Sequence, residues 1–115
     1  MSKVTTHVLD TANGVPAANM AFRLYRLDAG ERTLIKDGHT NADGRCDEPL
    51  LADATMRRGQ YELDFEAGDY FGGAAGDSYR FLDCVTLRFG IDDETSHYHV
   101  PLLVSPFSYS TYRGS

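Results

Sequence analysis

Short stretches in which apolar and polar residues alternate make up much of this chain, and turn-forming dipeptides separate them. The clearest stretch is residues 60–65, where Tyr61, Leu63 and Phe65 alternate with polar residues. A two-residue period places successive side chains on opposite faces, which is typical of a strand with one face buried. About seven or eight such strands, with turn signals roughly every 8–12 residues, predict an all-β fold, a two-sheet β-sandwich.

The boundaries of the predicted elements follow from this alternation and from Gly, Asn and Asp between the stretches. Helical signals are few. Residues 69–75 fit a short helix, which Gly72 and Gly73 weaken, and residues 50–56 fit either a turn of helix or the edge of a strand. The other predicted strands are residues 4–10, 20–26, 33–36, 84–91, 98–104 and 107–112, and the predicted turns are Asn13-Gly14, Asp37-Gly38, Asp43-Gly44, Arg58-Gly59 and Gly72-Gly73.

The size and charge of the chain exclude several classes of protein. Its 115 residues correspond to one domain, residues 1–115. The formal net charge of −6 and the pI of about 5.0 argue against sequence-independent binding to nucleic acid or to an anionic membrane, since both need a basic surface. No stretch approaches the ~20 apolar residues that span a bilayer.

The cysteines and the first residues indicate a cellular compartment. Cys46 and Cys84 are the two cysteines, which are too few for a disulfide framework and do not form a C-x-x-C motif. The first seven residues contain no apolar run of the kind found in a secretory signal. We therefore expect two reduced thiols in a cytoplasmic protein.

Four histidines are candidates for acid–base chemistry near neutral pH. His97 and His99 lie two residues apart in a predicted strand, so both side chains point to one face. Three interpretations remain open for this pair: polar residues on a solvated face, a transition-metal site if a third ligand converges, or a metal-free catalytic or binding role. His7 lies within a predicted strand, where we expect a half-buried histidine, and His39 follows a predicted turn, where we expect a surface position.

Arg45 and the C-terminal stretch are the other unusual features. Arg45 follows Asp43-Gly44, and its planar guanidinium suits either a surface position or the binding of a carbonyl or an anion. Residues 105–115 are rich in hydroxyl and aromatic side chains. They fit either a frayed end or a packed end at an interface. The sequence has no G-x-S-x-G, H-E-x-x-H or phosphate-binding glycine loop.

Both ends of the chain carry longer motifs. Residues 6–11 read Thr-His-Val-Leu-Asp-Thr, residues 97–103 read His-Tyr-His-Val-Pro-Leu-Leu, and residues 109–115 read Tyr-Ser-Thr-Tyr-Arg-Gly-Ser. These motifs resemble the opening and closing signatures of the transthyretin-related 5-hydroxyisourate hydrolases. In that family the terminal Tyr-Arg-Gly-Ser distinguishes the enzymes from transthyretin, the hormone carrier with the same fold.

The resemblance implies a transthyretin-like sandwich of about eight strands with one short helix, in a homotetramer built as a dimer of dimers. It implies hydrolysis of 5-hydroxyisourate to 2-oxo-4-hydroxy-4-carboxy-5-ureidoimidazoline in urate degradation, without a metal or other cofactor. The family's active sites lie in clefts where dimers face each other. Matched by position, the resemblance implies catalytic roles for His7, Arg45 and His99, and substrate binding by His7, Arg45, Tyr112, Arg113, Gly114 and Ser115.

The same resemblance suggests how these groups share the chemistry. One imidazole, His7 or His99, takes a proton from water while the other donates to the departing ring nitrogen, and Arg45 stabilises the oxyanion. His99 is preferred to His97 because the family motif places its catalytic histidine second in the pair. Two alternatives remain: a transthyretin-like carrier that binds a small molecule without catalysis, and a sandwich used for protein–protein contact.

Overall fold

Residues 2–72 and 79–114 are described in the computed structural model, and they contain nine strands and one short helix. A 3-10 turn, Asp53–Thr55, lies between the fifth and sixth strands. The helix is α1 (Ala67–Gly72), and the strands are β1 (Lys3–Asp10), β2 (Val15–Pro16), β3 (Ala21–Asp28), β4 (Glu31–His39), β5 (Leu51–Ala52), β6 (Gly59–Glu66), β7 (Cys84–Ile91), β8 (His97–Val104) and β9 (Tyr109–Thr111).

The strands form two sheets. The first sheet has the order β2–β1–β8–β9, with β5 also paired to β1. Its two central strands, β1 and β8, are parallel, and its other pairs are antiparallel. The second sheet has the order β4–β3–β6–β7 and is antiparallel throughout. The predicted all-β sandwich is therefore confirmed.

Alternate residues of both sheets form the core. Leu24 of β3 lies opposite Leu63 of β6, and both side chains are fully buried. Tyr61 and Phe65, which were predicted to share a face with Leu63, are buried as well. Complete burial of one such side chain contributes roughly 1.5–3 kcal/mol to folding. Because the inner faces are filled by apolar packing, polar chemistry is confined to the outer faces and the loops.

The turn predicted at Asp37-Gly38 is wrong, because both residues lie inside β4. Gly38 is paired with Phe22 of β3, and a Cβ on Gly38 would lie 3.2 Å from the Phe22 ring. This glycine thus makes room for an aromatic ring within a strand. The chain instead reverses at Ala29-Gly30, where both residues have positive φ angles of 49° and 83°.

The helix begins two residues earlier than predicted. Its described residues are Ala67–Gly72, and residues 73–75 of the predicted helix lie outside the described residues. Residues 50–56 contain both predicted alternatives, since β5 is followed directly by the 3-10 turn. Over the two described ranges, no helix has the length and apolar character needed to cross a bilayer.

Candidate functional site

Polar residues of two neighbouring strands share the outer face of the first sheet. Burial alternates along β1, which leaves Lys3, Thr5 and His7 half-buried on this face. The parallel register places His97 beside Lys3 and His99 beside Thr5. The two strands belong to opposite ends of the chain, so sheet pairing brings the N-terminal and C-terminal motifs together. His97 and His99 lie on one face, as their spacing predicted.

His99 is held by contacts on two sides. Its Nδ1 lies 2.8 Å from Thr5 Oγ1, and its carbonyl oxygen accepts a hydrogen bond of 2.8 Å from the Gly114 N–H. Gly114 also lies against the imidazole, since a Cβ at this position would be 2.6 Å from His99 Cδ2. With Nδ1 occupied by Thr5, Nε2 is the ring nitrogen left for proton transfer with a bound molecule.

Arg45 reaches the same face from the loop that follows β4. The Asn41 side-chain carbonyl accepts a hydrogen bond from the Arg45 N–H (3.1 Å). Gly44 has a φ of 74°, and its carbonyl accepts a hydrogen bond from the Val8 N–H (2.8 Å). A Cβ on Gly44 would lie 2.4 Å from the Val8 carbonyl oxygen, so glycine is needed for this docking. The docked loop pairs Arg45 with His7 in a β-bridge.

A cavity of about 430 Å³ opens where these groups meet. Its size suits a small ring, since small-molecule sites commonly enclose roughly 300–1,000 Å³. His7 is not one of its lining residues but borders them through its bridge with Arg45. Seven of the eight described residues that line it have polar or charged side chains, and the eighth is Cys46; the eight are Lys3, Thr5, Thr6, Arg45, Cys46, Glu48, His97 and His99.

Burial and nearby positive charge favour the neutral forms of both candidate histidines. Burial lowers the pKa of His99 below its ordinary value, and the charges of Arg45, His7 and His97 lower it further. Burial also lowers the pKa of His7, as does Arg45, with partial opposition from Asp43. A neutral imidazole carries one lone pair and one N–H. Each ring is therefore able to accept a proton on one nitrogen and to donate a hydrogen bond from the other near pH 7.

Several lining residues were not identified from the sequence. Lys3 and Thr5 precede His7 by four and two residues, so strand periodicity alone would have placed them on its face. No motif marks Glu48. Cys46 was expected to be a reduced thiol, and burial raises the pKa of this thiol to about 11. This thiol is therefore protonated and weakly nucleophilic at neutral pH.

The described C-terminal residues pack onto the first sheet. The Arg113 guanidinium lies 4.2 Å from the centre of the Tyr98 ring and donates a hydrogen bond of 3.3 Å to the His97 carbonyl. Gly114 forms a β-bridge with His99. These contacts match a packed end rather than a frayed one. Ser115, the last of the predicted substrate-binding residues, lies outside the described residues.

Tyr112 and Arg113 lie in a second cleft, outside the polar cavity. This cleft encloses about 390 Å³, has a mainly apolar lining, and includes residues of β7, β8 and β9. His99 borders both spaces. The structure therefore brings His7, Arg45 and His99 together with Gly114, and it places Tyr112 and Arg113 beside the cavity rather than in it.

The metal interpretation of the histidine pair needs a third ligand. Within residues 2–72 and 79–114, no three His, Cys, Asp or Glu side chains are arranged to hold a metal ion. His97 lines the cavity with His99, and its Nδ1 is buried without a hydrogen-bond partner in the described part of the chain.

Gly114→Ala is expected to lower activity by roughly 10²-fold while leaving the sandwich folded. The added methyl group would overlap the His99 ring, and a misplacement of about 1 Å at a catalytic group costs this much. Steady-state kinetics and thermal unfolding would measure the two effects. Gly90→Ala is the matched control, because a Cβ there would meet its nearest atom at 3.8 Å. Normal activity in Gly114→Ala would contradict this account of the His99 position.

Comparisons with known proteins cover nearly the whole chain. The sequence profile of the HIUase/Transthyretin family matches residues 4–114. A 5-hydroxyisourate hydrolase of Mesorhizobium japonicum is 58% identical over 98% of this chain and 92% of its own length. A 5-hydroxyisourate hydrolase of Ralstonia nicotianae is 56% identical over the full length of both chains.

Solved structures show the same architecture in proteins with different names. An (S)-allantoin synthase has a TM-score of 0.89 and 49% identity over 99% of this chain, which spans only 44% of the synthase. The 5-hydroxyisourate hydrolase of Klebsiella pneumoniae has a TM-score of 0.80 and 33% identity over the full length of both chains. Sea bream transthyretin in complex with thyroxine has a TM-score of 0.86 and 29% identity, covering 97% of this chain and 94% of its own.

Proposed function

Since this chain belongs to the HIUase/transthyretin family and is a hydrolase, we propose that it opens the six-membered ring of 5-hydroxyisourate in urate degradation. The proposed product is 2-oxo-4-hydroxy-4-carboxy-5-ureidoimidazoline. One observation carries the proposal: Arg45 and His99, from distant parts of the sequence, line one polar cavity, and His7 borders it through its bridge with Arg45.

The first step of the proposed reaction is the activation of water. Water is a weak nucleophile until a base removes its proton, and a base with a pKa near the working pH is the most effective. His7 and His99 both have lowered pKa values, so a lone pair is available on each ring at neutral pH. One of them takes the proton as the water oxygen bonds to the ring carbonyl carbon.

Arg45 stabilises the negative charge that develops on the carbonyl oxygen. An arginine guanidinium offers a planar set of positively charged N–H donors to an oxyanion. The Arg45 backbone is fixed by Asn41 and by the docking of Gly44 on β1. Donors that are in place before the reaction need little reorganisation, which is why such groups are effective in the transition state.

Ring opening follows when the carbon–nitrogen bond breaks. The departing nitrogen takes a proton from the second imidazole as that imidazole receives the proton removed from water, and the carbonyl carbon becomes a carboxyl group that loses its own proton to solvent. The proton removed from water restores the neutral pair of histidines. The reaction consumes one water molecule and needs no oxidant, reductant or metal ion in this scheme.

We also propose that the enzyme is a homotetramer, a dimer of dimers, with the polar face of the first sheet covered by a second dimer. Lys3, His7, His97 and His99 are only half-buried on this face, so a facing subunit would close the cavity and exclude water. The free thiols of Cys46 and Cys84 support the proposed cytoplasmic location. Sedimentation equilibrium should give a mass four times that of the chain, and a monomer would contradict the proposed assembly.

Carriage of a small molecule is the alternative function, since sea bream transthyretin was solved in complex with thyroxine. A site for such a ligand is expected to be mainly apolar with few polar groups. Here the cavity is lined by Lys3, Arg45, His97 and His99, which favours hydrolysis of a small polar ring. Tight thyroxine binding without any hydrolase activity would favour the carrier instead.

The proposed function is tested by following the ultraviolet absorbance of 5-hydroxyisourate. Uricase generates the compound from urate, and the purified protein should accelerate its decay at catalytic concentration. EDTA should leave the rate unchanged. Decay at the spontaneous rate in the presence of the protein would overturn the proposal, and a large loss with EDTA would restore the metal interpretation of His97 and His99.

The pH dependence of activity should follow the lowered pKa values. Protonation of either histidine removes the lone pair that the reaction needs, so kcat/KM should fall as the pH drops through those pKa values. Because both are lowered, the midpoint of the acidic limb should lie below the ordinary histidine pKa of about 6.5. Initial rates in buffers of constant ionic strength measure it. A midpoint above that value would show that the histidines are stabilised as cations.

A further inference from the structure

The Thr5 hydroxyl contacts His99 but has no part in the scheme above. Thr5 Oγ1 and His99 Nδ1 are 2.8 Å apart, and the two residues are paired in the parallel register of β1 and β8. Both are half-buried and both line the polar cavity. The contact is therefore set by the pairing of the two central strands of the sheet, not by a long and flexible side chain.

A hydroxyl differs from a carboxylate as the partner of a catalytic imidazole. A carboxylate only accepts a hydrogen bond, so it fixes the Nδ1–H tautomer and stabilises the imidazolium. A hydroxyl both donates and accepts. It is therefore compatible with either neutral tautomer of His99, and it adds no negative charge that would favour protonation of the ring.

The charged groups around His99 favour its neutral form, and a hydroxyl partner adds no negative charge that would oppose them. Arg45, His7 and His97 each disfavour the protonated ring. Lys3 and Glu48 complete the charged lining of the cavity, and the Glu48 carboxylate forms an ion pair of 2.8 Å with Lys36. Among the described residues, the hydrogen bond of the His99 ring is made to Thr5 and not to a carboxylate.

We propose that Thr5 is the positioning residue of His99. Its hydroxyl holds the imidazole by Nδ1 and leaves Nε2 for the substrate and the attacking water, in either neutral tautomer. This inference rests on the proposed hydrolase function and adds to it a residue that sets the orientation and the proton state of His99.

The proton balance of the step is simple. When Nδ1–H is donated to Thr5 Oγ1, Nε2 carries the lone pair and takes the proton of water as the new carbon–oxygen bond forms. The resulting imidazolium keeps its hydrogen bond to Thr5. When His99 is the acid instead, its Nε2 first receives the proton that His7 took from water, and the imidazolium then donates Nε2–H to the departing nitrogen while Nδ1–H stays bonded to Thr5 Oγ1. Thr5 itself neither gains nor loses a proton overall.

The test compares Thr5→Val, which removes the hydroxyl at nearly constant volume, with Thr5→Ser, which keeps it. We expect Thr5→Val to lower kcat roughly tenfold with little change in KM, a part of the ~10²–10⁴-fold that an acid–base residue supplies. Thr5→Ser should retain most of the activity. Thr11→Val is the matched control, because Thr11 Oγ1 donates to the Val104 carbonyl (3.1 Å) at the other end of the same strand pair.

Nitrogen-15 NMR of the His99 ring separates this inference from the proposed function, because it needs no substrate. Thr5→Val should change the tautomer ratio of His99, whereas Thr11→Val should not. Thr5→Asp should move the acidic midpoint of the His99 titration to higher pH. Unchanged ring shifts in Thr5→Val, or equal losses of kcat in Thr5→Val and Thr5→Ser, would overturn the role of Thr5. An inactive wild-type protein would overturn the proposed function alone, and the spectra would still decide whether Thr5 positions His99.

Discussion

His99→Asn should lower kcat/KM for 5-hydroxyisourate by about 10²–10⁴-fold, the range that a positioned acid–base residue contributes. Asparagine keeps a polar side chain near Thr5 and the backbone bond from Gly114, so the fold should survive. It has no group that takes up and releases a proton near neutral pH. Stopped-flow absorbance at several substrate concentrations would measure the loss.

Two other histidines provide controls for this result. His39→Asn should be silent, because His39 is exposed at the end of β4. His97→Asn should have a smaller effect than His99→Asn if the second histidine of the pair carries the chemistry. A loss in His97→Asn that equals or exceeds the loss in His99→Asn would reverse that assignment.

Arg45→Ala should lower kcat by about 10²–10³-fold, which is the usual cost of losing one donor to an oxyanion. Arg45→Lys keeps the positive charge but loses the planar set of donors, so it should recover only part of the activity. Single-turnover kinetics would show whether the loss lies in the chemical step.

Arg45→Ala should also change the pH dependence of activity, which shows whether the missing positive charge causes the loss. Arg45 contributes to the lowered pKa of both His7 and His99, so the acidic limb of the pH profile should move to higher pH in Arg45→Ala. Arg57→Ala, at an exposed position outside the cavity, should change neither kcat nor the profile. An unshifted profile with full activity in Arg45→Ala would remove Arg45 from the site.

The sheets were predictable because alternation reports directly which face of a strand is buried. The same alternation placed Glu62 and Asp64 on an outer face, but it did not show that both would be buried there. Arg32 spans them with ion pairs of 2.9 Å and 2.8 Å. That contact depends on the register of β3, β4 and β6 rather than on any local pattern. Sequence periodicity therefore predicts the face of a residue better than its burial.

His7 and His99 were named as candidates for a different reason, since they lie in motifs that resemble a known family. The convergence of the site residues was not predictable from spacing. It depends on the parallel pairing of β1 with β8 and on the docking of Gly44 against Val8. The contact between Thr5 and His99 also follows from that register. A prediction from single strands had no information about these long-range pairings.

The central claim is that the polar cavity lined by Arg45 and His99, with His7 at its border, binds and opens the ring of 5-hydroxyisourate. It is tested most directly by a crystal structure of the His99→Asn variant, cooled within seconds of soaking in freshly generated substrate. We predict an intact ring in the polar cavity, with a carbonyl oxygen within hydrogen-bond distance of the Arg45 guanidinium. Substrate bound only in the apolar cleft beside Tyr112, or an empty cavity at saturating concentration, would contradict the account.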